Sequence, residues 1–92
     1  MTQDRGASLG PSEGIIIYGT DWCPDCIRAR RFFDRNKVAY TWIDTDNDKL
    51  AEAFVRRSNN GKRIVPTILF PDGTILAEPS DQALAEKLEI PK

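Results

Sequence analysis

A chain of 92 residues, 40% of them hydrophobic, can bury one modest core and is too short to divide into two. Its 13 lysines and arginines nearly balance its 14 aspartates and glutamates, so overall charge offers no attraction to nucleic acid or to an anionic membrane surface. The longest apolar runs, such as Ile15-Ile16-Ile17 and Ile64-Val65, fall far short of the ~20 residues that span a bilayer. Residues 1–13 contain no apolar stretch of the kind a secretory signal needs and read as a flexible tail, which leaves 14–92 as the folded domain.

Ile15-Ile16-Ile17-Tyr18, bounded by Gly14 and Gly19, is a β-branched and aromatic run that predicts a buried strand. The turn Gly19-Thr20-Asp21-Trp22 follows, and Pro24 suits the first turn of a helix, where its missing N–H costs nothing. Thr20 or Asp21 is the expected cap, and the helix runs to about Asn36 with Ala29, Phe32 and Phe33 on its apolar face and Arg28, Arg30 and Arg31 on a basic one. Residues 38–43 predict a second strand, parallel to the first because a helix-length segment connects the two. Several caps among residues 44–48 start a second helix, in which Leu50 with Phe54 and Ala51 with Val55 recur at i, i+4 up to about Arg57. Residues 64–70 and 74–77 flank Pro71-Asp72-Gly73 and predict an antiparallel hairpin, with Pro66 at the beginning or edge of its first strand. Ser80 caps a last short helix with Leu84 and Leu88 on one face. The expected architecture is α/β, βαβαββα, with a four-stranded mixed sheet flanked by three helices.

The chain has only two cysteines, Cys23 and Cys26, and the loop they would close is too small to reinforce a fold by constraining the unfolded chain. A structural zinc site needs four Cys or His ligands, and two cysteines with no histidine do not supply them. Two buried, inert cysteines are the bland alternative, against which Pro24 and Asp25 describe a surface-facing helix start. Backbone N–H groups and the helix dipole stabilise an anion at a helix N-terminus, so Cys23 is the better-placed thiolate. It attacks a disulfide, and Cys26, about one helical turn on, displaces the product. Asp25 favours the helix but opposes a neighbouring thiolate, which predicts a more reducing dithiol than an uncharged residue would.

Ile17-Tyr18, Trp22-Cys23-Pro24-Asp25-Cys26, Val65-Pro66-Thr67 and Pro71-Asp72-Gly73-Thr74 together resemble a glutaredoxin with a thioredoxin fold, over about residues 15–90. The run from Asn60 through Thr67, then Asp72-Gly73 and Pro79-Ser80, is most similar to the mycoredoxin branch of that family. The resemblance implies a cis Val65–Pro66 bond that sets the Val65 backbone beside Cys23 to hold an extended substrate; a trans proline at a strand edge is the alternative. It also implies that Ser80 and Asp81, at the start of the last helix, receive a carboxylate of a low-molecular-weight thiol, although Asp81 serves equally as an ordinary first-turn acid. Trp22 is either an exposed docking aromatic beside Cys23 or a half-buried turn residue. Arg28, then Lys62 and Arg63, are the cations able to attract an anionic carrier, or else solvated charges. Two departures bear on glutathione binding: many glutaredoxins carry lysine where Thr20 stands and a Gly-Gly pair near Ala77-Glu78.

The function expected from this resemblance is reduction of mixed or protein disulfides by a cytoplasmic monomer with no bound cofactor. Mycothiol or glutathione, or else a flavoprotein reductase, would recharge it. A thioredoxin-reductase-linked electron donor is one alternative. An iron-sulfur carrier using Cys23 across a dimer is another, since thiolates ligate such clusters.

Overall fold

In the computed structural model, which describes residues 14–90, four short strands build one mixed sheet. β1 (Ile16–Gly19) leads through a turn into α1 (Pro24–Arg35), and β2 (Thr41–Asp44) returns parallel to β1, with Ile17 beside Trp42 and Gly19 beside Asp44. A 3-10 turn (Thr45–Asn47) and α2 (Lys49–Ser58) then cross to β3 (Thr67–Leu69) and β4 (Ile75–Ala77), an antiparallel hairpin followed by α3 (Asp81–Leu88). The strand order β2-β1-β3-β4 puts β1 at the centre, antiparallel to β3 with Tyr18 opposite Thr67. This is the thioredoxin-like α/β arrangement expected from the sequence. The expected tail at 1–13 lies outside the described residues.

Period-two alternation along β1 divides the core between the two faces of the sheet. Ile17 and Ile68 point one way and pack with Phe32 and Phe33 of α1 and Leu84 of α3, while Tyr18 points the other way onto Ala51 and Val55 of α2. Phe33 meets Phe32 and Tyr40 edge-on, with centroids 6.2 and 5.4 Å apart, and Tyr18 stacks on Phe54 at 4.8 Å. No helix among the described residues is long and apolar enough to cross a membrane.

Two local expectations, the second strand's start and the inward face of the second helix, are corrected, and one of the candidate caps of that helix is singled out. The second strand starts at Thr41, not at residue 38, because Val38 and Tyr40 pack beneath α1 after Lys37 turns the chain with φ 58°. The second helix starts after Asp48, whose carboxylate accepts the Ala51 N–H at 3.0 Å; the earlier caps were spent on the 3-10 turn, where Asp44 accepts from the Asp46 N–H. Leu50 is 84% exposed although it repeats at i, i+4 with Phe54, because the inward stripe of α2 is centred on Ala51 and Val55. Leu50→Glu is therefore expected to leave the urea midpoint within experimental error, whereas Val55→Ala, which empties a fully buried position, costs about 1–3 kcal/mol in the same titration.

Candidate active site

The strand–turn–helix passage from β1 to α1 brings both cysteines to one end of the sheet. Cys23 itself caps α1: it sits at φ −82°, ψ 118°, and its Sγ accepts the Cys26 N–H at 3.4 Å. The expectation of Thr20 or Asp21 as cap is corrected. Pro24 at the first helical position leaves the next free N–H groups to point back at Cys23, so the sulfur takes the place a cap oxygen would hold. Both thiols are free, Cys23 with 9% of its surface exposed and Cys26 with none. What exposure the pair retains is therefore on Cys23.

Cys26 is held from behind. A methyl group at Gly19 would lie 2.7 Å from Cys26 Sγ and 2.8 Å from Cη2 of Trp42, so the missing side chain makes the space in which the thiol and the indole meet. Arg30 covers the indole, its guanidinium carbon 4.1 Å from the ring centroid. Two arginines assigned to a basic face, Arg28 and Arg30, are thus drawn into packing contacts, and Arg31 remains on the surface. Burial pushes the Cys26 thiol up to about 12; Cys23 and Asp25 add to the shift, and a backbone hydrogen bond from Thr20 opposes it. A thiol raised in the folded state adds stability in full below its unfolded value near 8.5, and that contribution is lost as pH rises toward the folded value. From about pH 8.5 to about 10, below the range where buried Tyr18 also titrates, Cys26 is expected to cost the reduced protein up to about 1.4 kcal/mol per pH unit in urea titrations, a contribution that Cys26→Ala removes.

The residues expected to receive an anionic carrier are arranged otherwise. Arg28 donates to Asp25 through Nε at 2.9 Å, to Asp81 through Nη1 at 2.5 Å and to the Pro79 carbonyl through Nη2 at 2.8 Å. It joins α1 to the start of α3. Asp81 also faces Arg35 at 3.9 Å, and Ser80 Oγ is occupied as the cap of α3, accepting the Ala83 N–H at 3.0 Å. The same arginine offsets the charge of Asp25 that the sequence sets beside the cysteines.

On the other side of Cys23, Trp22 is 64% exposed and its Nε1–H donates to Asp46 Oδ2 at 2.8 Å. Arg63 donates to the other oxygen of Asp46 and approaches Glu52 at 3.7 Å. Asp46 therefore locks an aromatic beside the cysteines to a cation from the segment before β3. Val65–Pro66 is cis. Because Tyr18 pairs with Thr67, Pro66 stands beside Gly19, at the end of β1 from which the turn runs to Cys23. The Pro66 carbonyl accepts from Glu78 at 2.8 Å, while the Val65 N–H and carbonyl have no partner among the described residues.

Gly19, Trp42 and Asp46 are site residues that sequence reasoning missed. Gly19 was visible only as a strand boundary, Trp42 only as a residue of the predicted second strand, and Asp46 as one of several possible caps among residues 44–48. None carries a local signal, because each acts on a residue far along the chain.

Two free cysteines three positions apart, one capping the first helix and the other in its first turn, beside a four-stranded mixed sheet, define a thioredoxin-fold thiol protein. A glutaredoxin family profile matches residues 15–75. Mycoredoxin 1 of Corynebacterium glutamicum is 39% identical over 75 residues, covering 82% of this chain and 92% of that protein. A variant of the thioredoxin-like protein BC3987 superposes with a TM-score of 0.76 at 26% identity, covering 86% of this chain and 99% of the other. A glutaredoxin from Archaeoglobus fulgidus gives 0.66 at 22% identity, over 82% and 85% of the two chains. The chain belongs to the glutaredoxin family. Its general activity is that of a thiol-disulfide oxidoreductase.

Proposed function

We propose that this protein reduces mixed disulfides and protein disulfides with Cys23 as nucleophile and Cys26 as resolving thiol, recharged by a low-molecular-weight thiol. The observation that carries this reading is the asymmetry of the pair: Cys23 caps α1 and keeps a little exposure, whereas Cys26, in the first turn of the helix, has none. The Cys26 N–H points at Cys23 Sγ at the N-terminus of α1. The exposed Trp22 next to Cys23, and Val65 backbone groups without a partner among the described residues, suit an extended substrate segment bound by strand-like hydrogen bonds.

The charges favour one class of carrier. Arg28 is committed to Asp25 and Asp81, and Arg63 to Asp46 and Glu52. A carrier with free carboxylates, such as glutathione, must displace these partners. A carrier whose bulk is uncharged and rich in hydroxyls, such as mycothiol, need not, and the likeness to a mycoredoxin points the same way. We read residues 14–92 as the domain that performs this reaction, as a monomer in the reducing cytoplasm. The test is turnover of a small-thiol mixed disulfide with glutathione and mycothiol supplied in turn. Faster turnover with mycothiol by tenfold or more supports the reading, equal rates remove the charge argument, and activity only with a flavoprotein reductase overturns the choice of a small-thiol carrier.

A further inference from the structure

Trp22 directly precedes Cys23 and leaves 64% of its surface exposed, yet its indole is not free to turn. Its Nε1–H donates to Asp46 Oδ2 at 2.8 Å, and Arg63 donates to the other carboxylate oxygen. The acid itself stands on a fixed backbone. Thr45 Oγ1 donates to the Gly19 carbonyl at 3.2 Å, and the Asp44 carboxylate accepts the Asp46 N–H at 2.9 Å and Asn47 Nδ2 at 2.7 Å. Arg63 is held from a second side by Glu52 at 3.7 Å, which also accepts from Arg56 Nη2 at 3.0 Å. Ile27, 39% exposed and with its N–H on the Cys23 carbonyl at 3.1 Å, adds a second exposed apolar side chain one helical turn from Cys23.

Exposed polar contacts of this kind contribute little to folding, because water would serve each group nearly as well. Their consequence lies in what happens when the surface is covered. A free indole N–H or a lone carboxylate beneath a partner loses its water without replacement. Here the indole N–H is satisfied by Asp46 and the charge of Asp46 by Arg63, so Trp22 can be covered without stranding a donor or a charge. The ring is also ordered before a partner arrives, whereas ordering a free side chain at an interface weakens binding by about twofold to tenfold. We infer that Asp46 is a positioning residue for polypeptide disulfides: it holds the Trp22 ring as a rigid apolar platform for an apolar side chain next to the half-cystine that Cys23 attacks. This rests on the proposed role of Cys23. In the step that follows docking, the Cys23 thiolate sulfur bonds to the near sulfur of the partner's disulfide. The partner's sulfur–sulfur bond breaks, and its electron pair leaves on the far sulfur, which is reduced to a thiolate. Cys23 is oxidised to the mixed disulfide with the near sulfur. Asp46 takes no part in this exchange of bonds and acts only through Trp22.

The experiment uses two mixed disulfides with 2-nitro-5-thiobenzoate, one on the cysteine of a short peptide with leucine on either side and one on N-acetylcysteine. Attack by Cys23 on the cysteine sulfur releases the coloured thiolate from each, so stopped-flow absorbance gives two rate constants. Their ratio, peptide over N-acetylcysteine, cancels any change in the thiol itself and reads recognition of the peptide. Asp46→Ala is expected to lower the ratio by about threefold to tenfold, and Trp22→Ala by at least as much. With Trp22→Ala already in place, Asp46→Ala is expected to change the ratio by less than about twofold, because its effect runs through the indole. Asp46→Asn, which keeps an acceptor for the indole N–H, is expected to stay within about threefold of the parent. Time-resolved fluorescence anisotropy of Trp22, read in Trp42→Phe protein, is expected to show an indole that gains fast local motion in Asp46→Ala, which a loss of fold stability alone would not produce. A ratio unchanged in Asp46→Ala or in Trp22→Ala overturns the inference while leaving Cys23 as the nucleophile. A ratio that Asp46→Ala lowers equally with and without Trp22, or an indole equally rigid without Asp46, overturns it as well. Release of the coloured thiolate by Cys23→Ser at the parental rate overturns both the inference and the reading beneath it.

Discussion

Replacing Cys23 by serine is expected to reduce turnover of a mixed disulfide by about a thousandfold or more, because a hydroxyl is scarcely ionised at neutral pH and a thiolate is the attacking species. Cys26→Ser is expected to behave differently. With a small-thiol mixed disulfide the carrier can itself release Cys23, so turnover stays within about threefold of the parent, while reduction of a protein disulfide, which needs an internal second thiol, falls by about a hundredfold. Steady-state assays of the two variants on the two substrates check both statements. A Cys23→Ser variant that keeps even a tenth of parental activity would place the nucleophile elsewhere. The asymmetry expected between the variants has a structural source, since Cys23 caps α1 and retains a little exposure, while Cys26 has no exposed area from which to begin a reaction.

Gly19→Ala is expected to have the largest effect of any single methyl added to the described glycines. The new carbon would stand 2.7 Å from Cys26 Sγ and 2.8 Å from Trp42 Cη2, and both neighbours are confined, one by the first turn of α1 and the other by the Arg30 guanidinium over its ring. Overpacking of this kind costs about 1–3 kcal/mol, or about 5–20 °C in melting temperature for a domain of this size. Thermal unfolding followed by circular dichroism measures it. Gly14→Ala is the control, since nothing lies within 4 Å of its added carbon and no change is expected. The variant should also push Cys26 away from Cys23 and slow formation of the disulfide between them. A Gly19→Ala protein with parental stability and parental disulfide formation would mean that the sheet end yields more readily than its packing suggests.

The general plan of the molecule was legible because its signals are local. A β-branched run beside Gly19, a proline one residue past Cys23, an Asp-Gly turn between apolar runs and a serine before a short amphipathic segment each report on a few neighbouring residues, and each is found where expected. The errors arose where competing local signals had to be ranked. Cys23 outcompetes Thr20 and Asp21 as cap because the helix begins at Pro24, and the run of acids from Asp44 to Asp48 supports two successive turns where one helix was expected. Leu50 shows the limit of periodicity, since an i, i+4 pair does not say which stripe of a helix faces the sheet.

Two thiols three positions apart at the start of a helix, in a βαβαββα order, could be read from the chain alone, because strand, turn, helix start and cysteine spacing are properties of adjacent residues. Which charges near those thiols are paired emerges with the folded arrangement. Arg28 finds Asp81 across 53 positions, Trp22 finds Asp46 across 24, and Arg63 finds Asp46 across 17. Gly19 likewise becomes a contact surface for Cys26 only after β1 and β2 are paired in register and Trp42 is brought beside it. Contacts of that reach follow from sheet register and helix packing, which no short stretch of sequence encodes.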